Sequence, residues 1–275
     1  MTSDDEIMRD TLKRMRLNGL LSLWDEIKHE PWLRRLVEVE QQERARRSLE
    51  NRTRLASLGA FRPLADFDWN WPRKIDRPLC DDLMTLRFMA ESCNVVLFGP
   101  NGVGKTLVMK NIAHQALLDG CSVLYRGASD MLKDLATQES SVARSRRMRV
   151  YVQPELLCID EVGYLSYDNA YADLLFEVVS RRYEAKRPMV VTTNRTFTEW
   201  PQMFPNATCV VTRVDRLTHR CEVLSIEGDS YRLKESKELA AKLAADRARS
   251  APAPRKGGQN TKERRQMPLP DTTPA

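Results

Sequence analysis

The stretch GPNGVGKT, residues Gly99 to Thr106, decides the fold. It satisfies the pattern G-x-x-x-x-G-K-[ST], follows the apolar run NVVLFG and opens a segment with helical periodicity. Glycines let the backbone wrap around phosphates, and N–H groups at a helix start favour anions. The sequence therefore predicts a phosphate-binding loop between a strand and a helix. The residues expected to form it are Gly99, Pro100, Asn101, Gly102, Val103, Gly104, Lys105, Thr106 and Leu107.

Two loop side chains and two carboxylates have predicted chemical roles. We expect Lys105 to reach the β- and γ-phosphates of ATP and the Thr106 hydroxyl to bind Mg²⁺. A second segment, LLCIDEV (156–162), is an apolar strand ending in two acids. Asp160 would hold the magnesium through water, and Glu161 would be the base that polarises the attacking water. A kinase for small molecules needs no such paired glutamate, so Glu161 favours ATP hydrolysis.

A third segment, VVTTNR, places Asn194 at the end of another apolar strand. In an open α/β sheet that position lies on the ligand side, where the amide can touch the γ-phosphate or the water. An asparagine after a strand is by itself more often a turn residue. The predicted role of Asn194 therefore depends on the two motifs that precede it.

Short apolar runs alternate with helical segments through the central part of the chain. Nearly continuous apolar strands separated by helices predict an α/β P-loop NTPase with a parallel five-stranded sheet flanked by helices. The strands are predicted at 94–99, 122–127, 156–162, 189–194 and 222–228, and the helices at 105–118, 129–149 and 170–186.

Four regions follow from the changes in pattern. Residues 1–60 are predicted to be a small all-α domain, 61–75 a linker with aromatic residues and prolines, and 76–235 the ATPase domain. Residues 236–275 are rich in Lys, Pro and Gly, and a disordered basic tail is expected there. The net charge is +6, and the whole excess lies in residues 232–275.

Composition excludes several classes of protein. The 6 cysteines have no metal-ligand spacing, which favours buried free thiols over a zinc site or disulfides. The longest apolar runs fall well short of the ~20 residues of a membrane span. The N-terminus, MTSDDEIMRD, is acidic rather than signal-like. We expect a cytoplasmic protein without a membrane partner.

Three groups of arginines need an explanation. On general grounds, charged helices of this kind face solvent and carry Glu–Arg pairs. In TRVDRLTHR (212–220), by contrast, Asp215 is the only acidic residue beside three arginines. The first two groups are Arg44, Arg47 and Arg54, near one face of a predicted helix, and Arg144, Arg146, Arg147 and Arg149 in RSRRMR.

The motifs in their order resemble a known family. GPNGVGKT, LLCIDEVGYL, VVTTNRTFTEW and VDRLTHRCEVLSIEGDSYRLKE are similar to the IstB-type helper ATPases of bacterial insertion sequences, AAA+ proteins related to the helicase loader DnaC and the initiator DnaA. The likeness covers Met8 to about Glu235. One departure is PQMFPNATCVV (201–211), where relatives carry a Gly-Asp turn, and it puts the local loop geometry in doubt.

The resemblance implies a function that the residues alone do not. It implies an AAA+ ATPase using ATP and Mg²⁺ that binds duplex DNA, forms homo-oligomers on it and prepares target DNA for a partner transposase. Asn194 would be the sensor, and Arg216 the arginine finger for a neighbouring subunit, with Arg213 as the alternate. Arg220 would be structural or face DNA, and the other two arginine groups would be candidate DNA contacts. A DnaC-like helicase loader is the alternative, since it shares every ATP-site residue.

Overall fold

The structure is a computed structural model that describes residues 3–163, 169–196, 198–200 and 215–250. The chain divides into one compact unit, Met1–Arg232, and a second, Leu233–Ala275. No described helix is both long and apolar enough to span a membrane.

The elements are labelled in chain order. The helices are α1 (Ser3–Arg14), α2 (Asn18–Ser22), α3 (Trp24–Ile27), α4 (Pro31–Ala56), α5 (Arg77–Met84), α6 (Arg87–Ala90), α7 (Lys105–Leu118), α8 (Ala128–Ala136), α9 (Ser141–Val152), α10 (Asn169–Glu184) and α11 (Tyr231–Ser250), with a 3₁₀ turn at Leu64–Asp66. The strands are β1 (Lys74–Ile75), β2 (Asn94–Phe98), β3 (Val123–Gly127), β4 (Leu156–Val162), β5 (Met189–Thr193) and β6 (Cys221–Glu227).

The sheet of the described chain has the order β1-β6-β2-β5-β4-β3. Strands β2 to β6 pair in parallel, and β1, the outermost strand on one side, pairs antiparallel with β6. The strands are apolar on both sides because helices cover both faces, with α8, α9 and α10 on one and α5 and α7 on the other. The predicted fold class is confirmed, with six strands instead of five. The carboxyl ends of five parallel strands thus meet at one edge, which we call the carboxyl edge.

Two predictions about secondary structure are wrong. The helix expected at 129–149 is two helices, because Ser140 starts a new one: its hydroxyl accepts a hydrogen bond from the N–H of Ala143 at 3.1 Å. Disorder was expected from residue 236 onward, but residues 236–250 belong to α11, which ends at Ser250. Ala, Leu, Lys and Glu dominate that segment, and all are strong helix formers. Residues 251–275 lie outside the described residues.

The N-terminal helices have a small core of their own. Leu12, Trp24, Leu33 and Val37 are buried in it. Helix α4 then continues out of this core, and Ala56 at its end is buried against the core of the sheet. One helix therefore connects the two cores without a break. The predicted boundary near residue 60 stays a prediction.

The cysteines of the described chain are free. Cys80 and Cys158 are buried, and burial raises the pKa of Cys80 to about 11 and that of Cys158 to about 12. These two thiols are therefore unreactive at neutral pH. Cys93, Cys121 and Cys221 are half-buried, and Cys209 lies outside the described residues.

Arg182 on α10 is a fully buried cation without a carboxylate partner in the described chain. Its guanidinium donates instead to five backbone carbonyls at distances from 2.7 to 3.2 Å. Burial, reinforced by the charge of Arg187, lowers its pKa to about 9. Arg182 thus joins the end of α9 to the starts of β4 and β5. The carbonyls belong to Tyr151, Val152, Pro154, Glu155 and Pro188.

We expect Arg182→Met to lower the free energy of unfolding by roughly 3–5 kcal/mol, because it leaves buried carbonyls without donors. Chemical denaturation measures the change. The matched control is Arg181→Ala, which removes a partly exposed ion pair to Glu177 on the same helix and costs less than about 1 kcal/mol. Equal losses for the two variants would contradict a structural role for the carbonyl contacts of Arg182.

Candidate nucleotide-binding site

The loop after β2 has a backbone that only glycine can supply. Gly99 has a φ of 150°, and a Cβ there would lie 2.1 Å from the carbonyl oxygen of Ile226. Gly104 has a φ of 107°, and a Cβ would lie 2.6 Å from the ring of Phe67. The loop is therefore tightly enclosed by β6 and by the segment before β1. Of the other predicted loop residues, Pro100 and Asn101 are exposed, Gly102 and Leu107 are half-buried and Val103 is buried.

Lys105 begins α7 and is only 5% exposed. Its ammonium group donates to the carbonyl oxygens of Gly99 and Pro100, both at 2.7 Å. Burial is the main reason that its pKa is lowered to about 8, and Asp160 and Glu161 oppose this shift. The lysine is thus bound to the inside of its own loop, close to the two carboxylates near the end of β4.

Asp160, near the end of β4, accepts hydrogen bonds from three hydroxyl groups. Thr106 donates to Oδ1 at 3.1 Å, and Thr192 on β5 donates to the same oxygen at 2.5 Å. Tyr125 on β3 donates to Oδ2 at 2.7 Å. The structure therefore brings together Thr106 and Asp160, the two residues predicted for magnesium. Hydroxyl and carboxylate oxygens are ligands that suit Mg²⁺, so this pair fits the ion.

Glu161 lies on a bulge that turns it away from the core. The register between β4 and β5 shifts between Ile159 and Val162, and Glu161 has a left-handed φ of 63°. Its N–H donates to Oγ1 of Thr192 at 2.8 Å, and its side chain is exposed at the carboxyl edge. A non-glycine residue in this conformation is strained, and such strain is concentrated at functional sites. The charge of the Glu161 carboxylate acts on Lys105 of the phosphate-binding loop, which places the carboxylate near that loop.

Asn194 follows β5 at the same edge. Its Oδ1 atom is buried and has no hydrogen-bond partner in the part of the chain that the structure describes. A buried, unsatisfied amide oxygen is costly in a folded protein and is often explained by a ligand or a bound water. The structure thus places all the predicted catalytic and magnesium residues except the arginines at one edge.

Arg216 lies far from the carboxyl edge, at the end of the sheet where the parallel strands begin. It belongs to a helical turn at 215–220 that is tied to the start of β2, where the side chain of Asn94 donates to the Leu217 carbonyl at 2.9 Å. A strand of five residues separates the two edges by roughly 16 Å. Arg216 instead makes a 3.4 Å ion pair with Glu184. Arg213, the alternate finger, lies outside the described residues, and so does the departure at 201–211.

The arginines of α9 divide into two types. Arg147 donates to Asp134 at 2.6 Å, and Tyr151 donates to the same carboxylate, which lowers the pKa of Asp134. Arg147 therefore joins α9 to α8. The other three side chains are exposed and make no hydrogen bond or ion pair with any described residue. They are Arg144, Arg146 and Arg149.

The arginines of α4 carry the pairs expected for a charged solvent-facing helix. Arg44 donates to Glu40 at 2.6 Å and to the Met15 carbonyl at 2.6 Å, which joins α4 to the end of α1. Arg47 donates to Glu43 at 2.7 Å, and Arg54 to Asn51 at 2.9 Å. DNA contact by these three arginines stays a prediction.

Comparison with known proteins decides the family. Residues 12–239 match the model of the family described as IstB-like ATP binding protein. The chain belongs to this family. An ATP-binding protein of insertion sequence IS21 from Pseudomonas aeruginosa is 34% identical to it over 78% of this chain and 80% of the relative. The corresponding protein of IS5376 from Geobacillus stearothermophilus is 32% identical over 77% and 84%.

Solved structures support the fold of this IstB-like chain. A crystal structure of DnaI covers 63% of this chain and 90% of its own, with a TM-score of 0.51 and 19% sequence identity. At that identity the likeness shows the fold alone. It agrees with the predicted P-loop fold, while the family match identifies the chain as an IstB-like ATP-binding protein.

The structure adds three residues to this IstB-like site that sequence reasoning missed. Tyr125 and Thr192 bind Asp160, and the charge of Arg232, in the first turn of α11, contributes to lowering the pKa of Lys105. Arg232 is therefore a second cation near the phosphate-binding loop. A signal was available for Thr192, since a polar residue interrupts the apolar β5. Nothing in the local sequence marks Tyr125 or Arg232.

Proposed function

We propose that the protein hydrolyses ATP, assembles into homo-oligomers on duplex DNA when ATP is bound, and in that form prepares target DNA for a partner transposase. The observation that carries this proposal is the separation of Arg216 from the other site residues. The ATP-site residues of one chain converge at the carboxyl edge, whereas Arg216 lies at the amino end of β2. An arginine there can serve a nucleotide only in another subunit.

We assign each step of hydrolysis to residues at the carboxyl edge. Lys105 leaves the carbonyls of Gly99 and Pro100 and binds the β- and γ-phosphates. Glu161 accepts a proton from the attacking water, and Asn194 holds that water or the γ-phosphate. Thr106 and Asp160 would hold Mg²⁺, which neutralises developing charge on the phosphates. Arg232 would add a positive charge near the same phosphates.

The DNA-binding part of the proposal depends on the exposed arginines. Arg144, Arg146 and Arg149 lie on one short helix without acidic partners in the described chain, which suits sequence-independent contact with phosphates. Arg147 is held by Asp134, and we propose that it positions α9. The α4 group, Arg44, Arg47 and Arg54, would add contacts only if DNA displaced its present partners.

The transposition role is favoured over the helicase-loader alternative by the relatives. Two curated relatives, 34% and 32% identical to this chain, are proteins of insertion sequences, whereas the likeness to DnaI concerns the fold. The paired Glu161 disfavours a small-molecule kinase. The transposase is proposed as the partner because insertion sequences move by transposition.

We expect the wild-type protein to be a monomer or small oligomer alone, and to form a much larger complex when a non-hydrolysable ATP analogue and duplex DNA are both present. Light scattering after size-exclusion chromatography measures the mass in four conditions: neither addition, each alone, and both. Lys105→Ala is the control and stays small in all four. A wild-type protein that stays monomeric throughout would refute the proposal.

A further inference from the structure

A cation-rich cavity of about 310 Å³ lies near the amino end of β2, between the end of α10, the loop into β5 and the turn at 215–220. Its size is at the lower end of the range for small-ligand pockets. Five cationic side chains line it, but only one carboxylate, that of Glu184. The five are Arg182, Lys186, Arg187, Arg216 and Arg220.

The positive charges of the cavity are not balanced within the described chain. Glu184 pairs with Arg216 at 3.4 Å, and the other four cations make no ion pair there. Arg182 and Arg187 donate to backbone carbonyls, both of them to that of Val152 at 3.2 Å. The charge of Arg187 also contributes to lowering the pKa of Arg182. Like charges that converge in a partly desolvated cavity repel each other, so an entering anion is stabilised.

We propose that the cavity receives the phosphates of the nucleotide held by a second copy of this chain, and that Lys186 and Arg187 bind those phosphates beside Arg216. This inference rests on the proposed function, which supplies the neighbouring ATP. The nucleotide bound by the same chain cannot enter the cavity, because the phosphate-binding loop of that chain lies at the opposite edge of the sheet.

The shape of the site favours a terminal phosphate over a DNA backbone. The side chains converge in a concave space, which a triphosphate enters by its γ-end, whereas a continuous phosphodiester chain needs an open groove. Lys186 lies two residues beyond the end of α10, with a left-handed φ of 52°, and its side chain is exposed. Arginine and lysine are the residues that bind phosphate oxygens most strongly, through charge-assisted hydrogen bonds. Glu184 keeps Arg216 in the cavity until the phosphates arrive.

The test compares Lys186→Ala and Lys186→Ala/Arg187→Ala with Arg181→Ala, which removes a nearby cation in the last turn of α10, outside the cavity. We expect ATP hydrolysis on duplex DNA to fall roughly 10-fold in the single variant and 100-fold or more in the double variant, as for lost transition-state donors. Arg181→Ala stays near wild type. Binding of a fluorescent ATP analogue to the dilute subunits is unchanged in all three, because their own loops are intact.

Mixed assemblies separate a contact with nucleotide from a structural effect. The mixture contains Glu161→Gln subunits, which bind ATP and assemble but lack the base for hydrolysis. Because their cavity is intact, they restore hydrolysis by the double variant, whose own ATP site is intact. Thermal unfolding checks that Lys186→Ala, whose side chain makes no hydrogen bond or ion pair with a described residue, leaves the fold unchanged.

Three results would overturn the inference. Hydrolysis at the wild-type rate in both variants, with Arg216→Ala inactive, would remove Lys186 and Arg187 from the site and leave the proposed function intact. Loss of duplex DNA binding by both variants would identify the anion as a backbone phosphate, because hydrolysis would then fall only through lost assembly on DNA. A double variant that Glu161→Gln subunits do not restore would mean that its cations act only within their own chain. Failure of the wild type to assemble at all would instead refute the proposed function.

Discussion

Replacing Glu161 by glutamine is expected to lower the rate of ATP hydrolysis by roughly 10² to 10⁴, the usual contribution of a general base, without weakening ATP binding. The amide has the size of the carboxylate but cannot accept the proton of the attacking water. The exposed side chain takes no part in the described hydrogen bonds of the loop, and glutamine tolerates the left-handed φ of 63° as well as glutamate does. Phosphate release on duplex DNA and the Kd for ATP measure the two quantities.

Glu155→Gln is the matched control for this experiment. It removes the same charge from the other end of β4, where Glu155 accepts hydrogen bonds from Ser122, and it leaves hydrolysis unchanged. Hydrolysis by Glu161→Gln at the wild-type rate would exclude Glu161 as the base. Loss of ATP binding together with hydrolysis would instead show that the residue holds the loop in shape.

The sequence was sufficient to predict the central residues of the site, because the order of the motifs along the chain determines where those residues lie in the sheet. A glycine-rich loop after an apolar strand has one workable geometry, and the carboxylates of β4 must lie beside it in a parallel sheet. The five predicted strands each agree with the structure to within one residue at either end. Strand β1 was missed because two residues, Lys74–Ile75, carry no periodicity. They pair only because β6 leaves an open edge.

The contacts that were not predicted are tertiary. Arg182 belongs to the segment RRYE of α10, and the sequence alone would place an arginine of such a charged segment in solvent. Only the backbone carbonyls around it explain its burial. Tyr125 reaches Asp160 from the neighbouring strand β3. The cavity gathers cations from two segments more than 25 residues apart in the sequence. Local patterns cannot reveal such groupings, because they follow from the strand order.

Arg216→Ala is expected to lower ATP hydrolysis on duplex DNA by roughly 10³ or more, the effect of losing an arginine finger. ATP binding by the isolated subunit is unchanged, because Arg216 lies at the far edge of the sheet from its own loop. Arg216→Lys recovers only part of the rate, since lysine keeps the charge but lacks the planar fork that binds two phosphate oxygens. Steady-state hydrolysis and equilibrium binding of an ATP analogue distinguish the two effects.

An equal mixture of Arg216→Ala and Glu161→Gln subunits, both of which bind ATP and assemble, shows whether the arginine acts between chains. Neither variant has a complete site alone. In a head-to-tail assembly, about one quarter of randomly formed junctions join a complete ATP site to an intact arginine, so hydrolysis returns to about that fraction of the wild-type rate. Activity no higher than that of the separate variants would place Arg216 within its own site. That result would require the turn at 215–220 to move across the sheet, which its hydrogen bonds to Asn94 oppose.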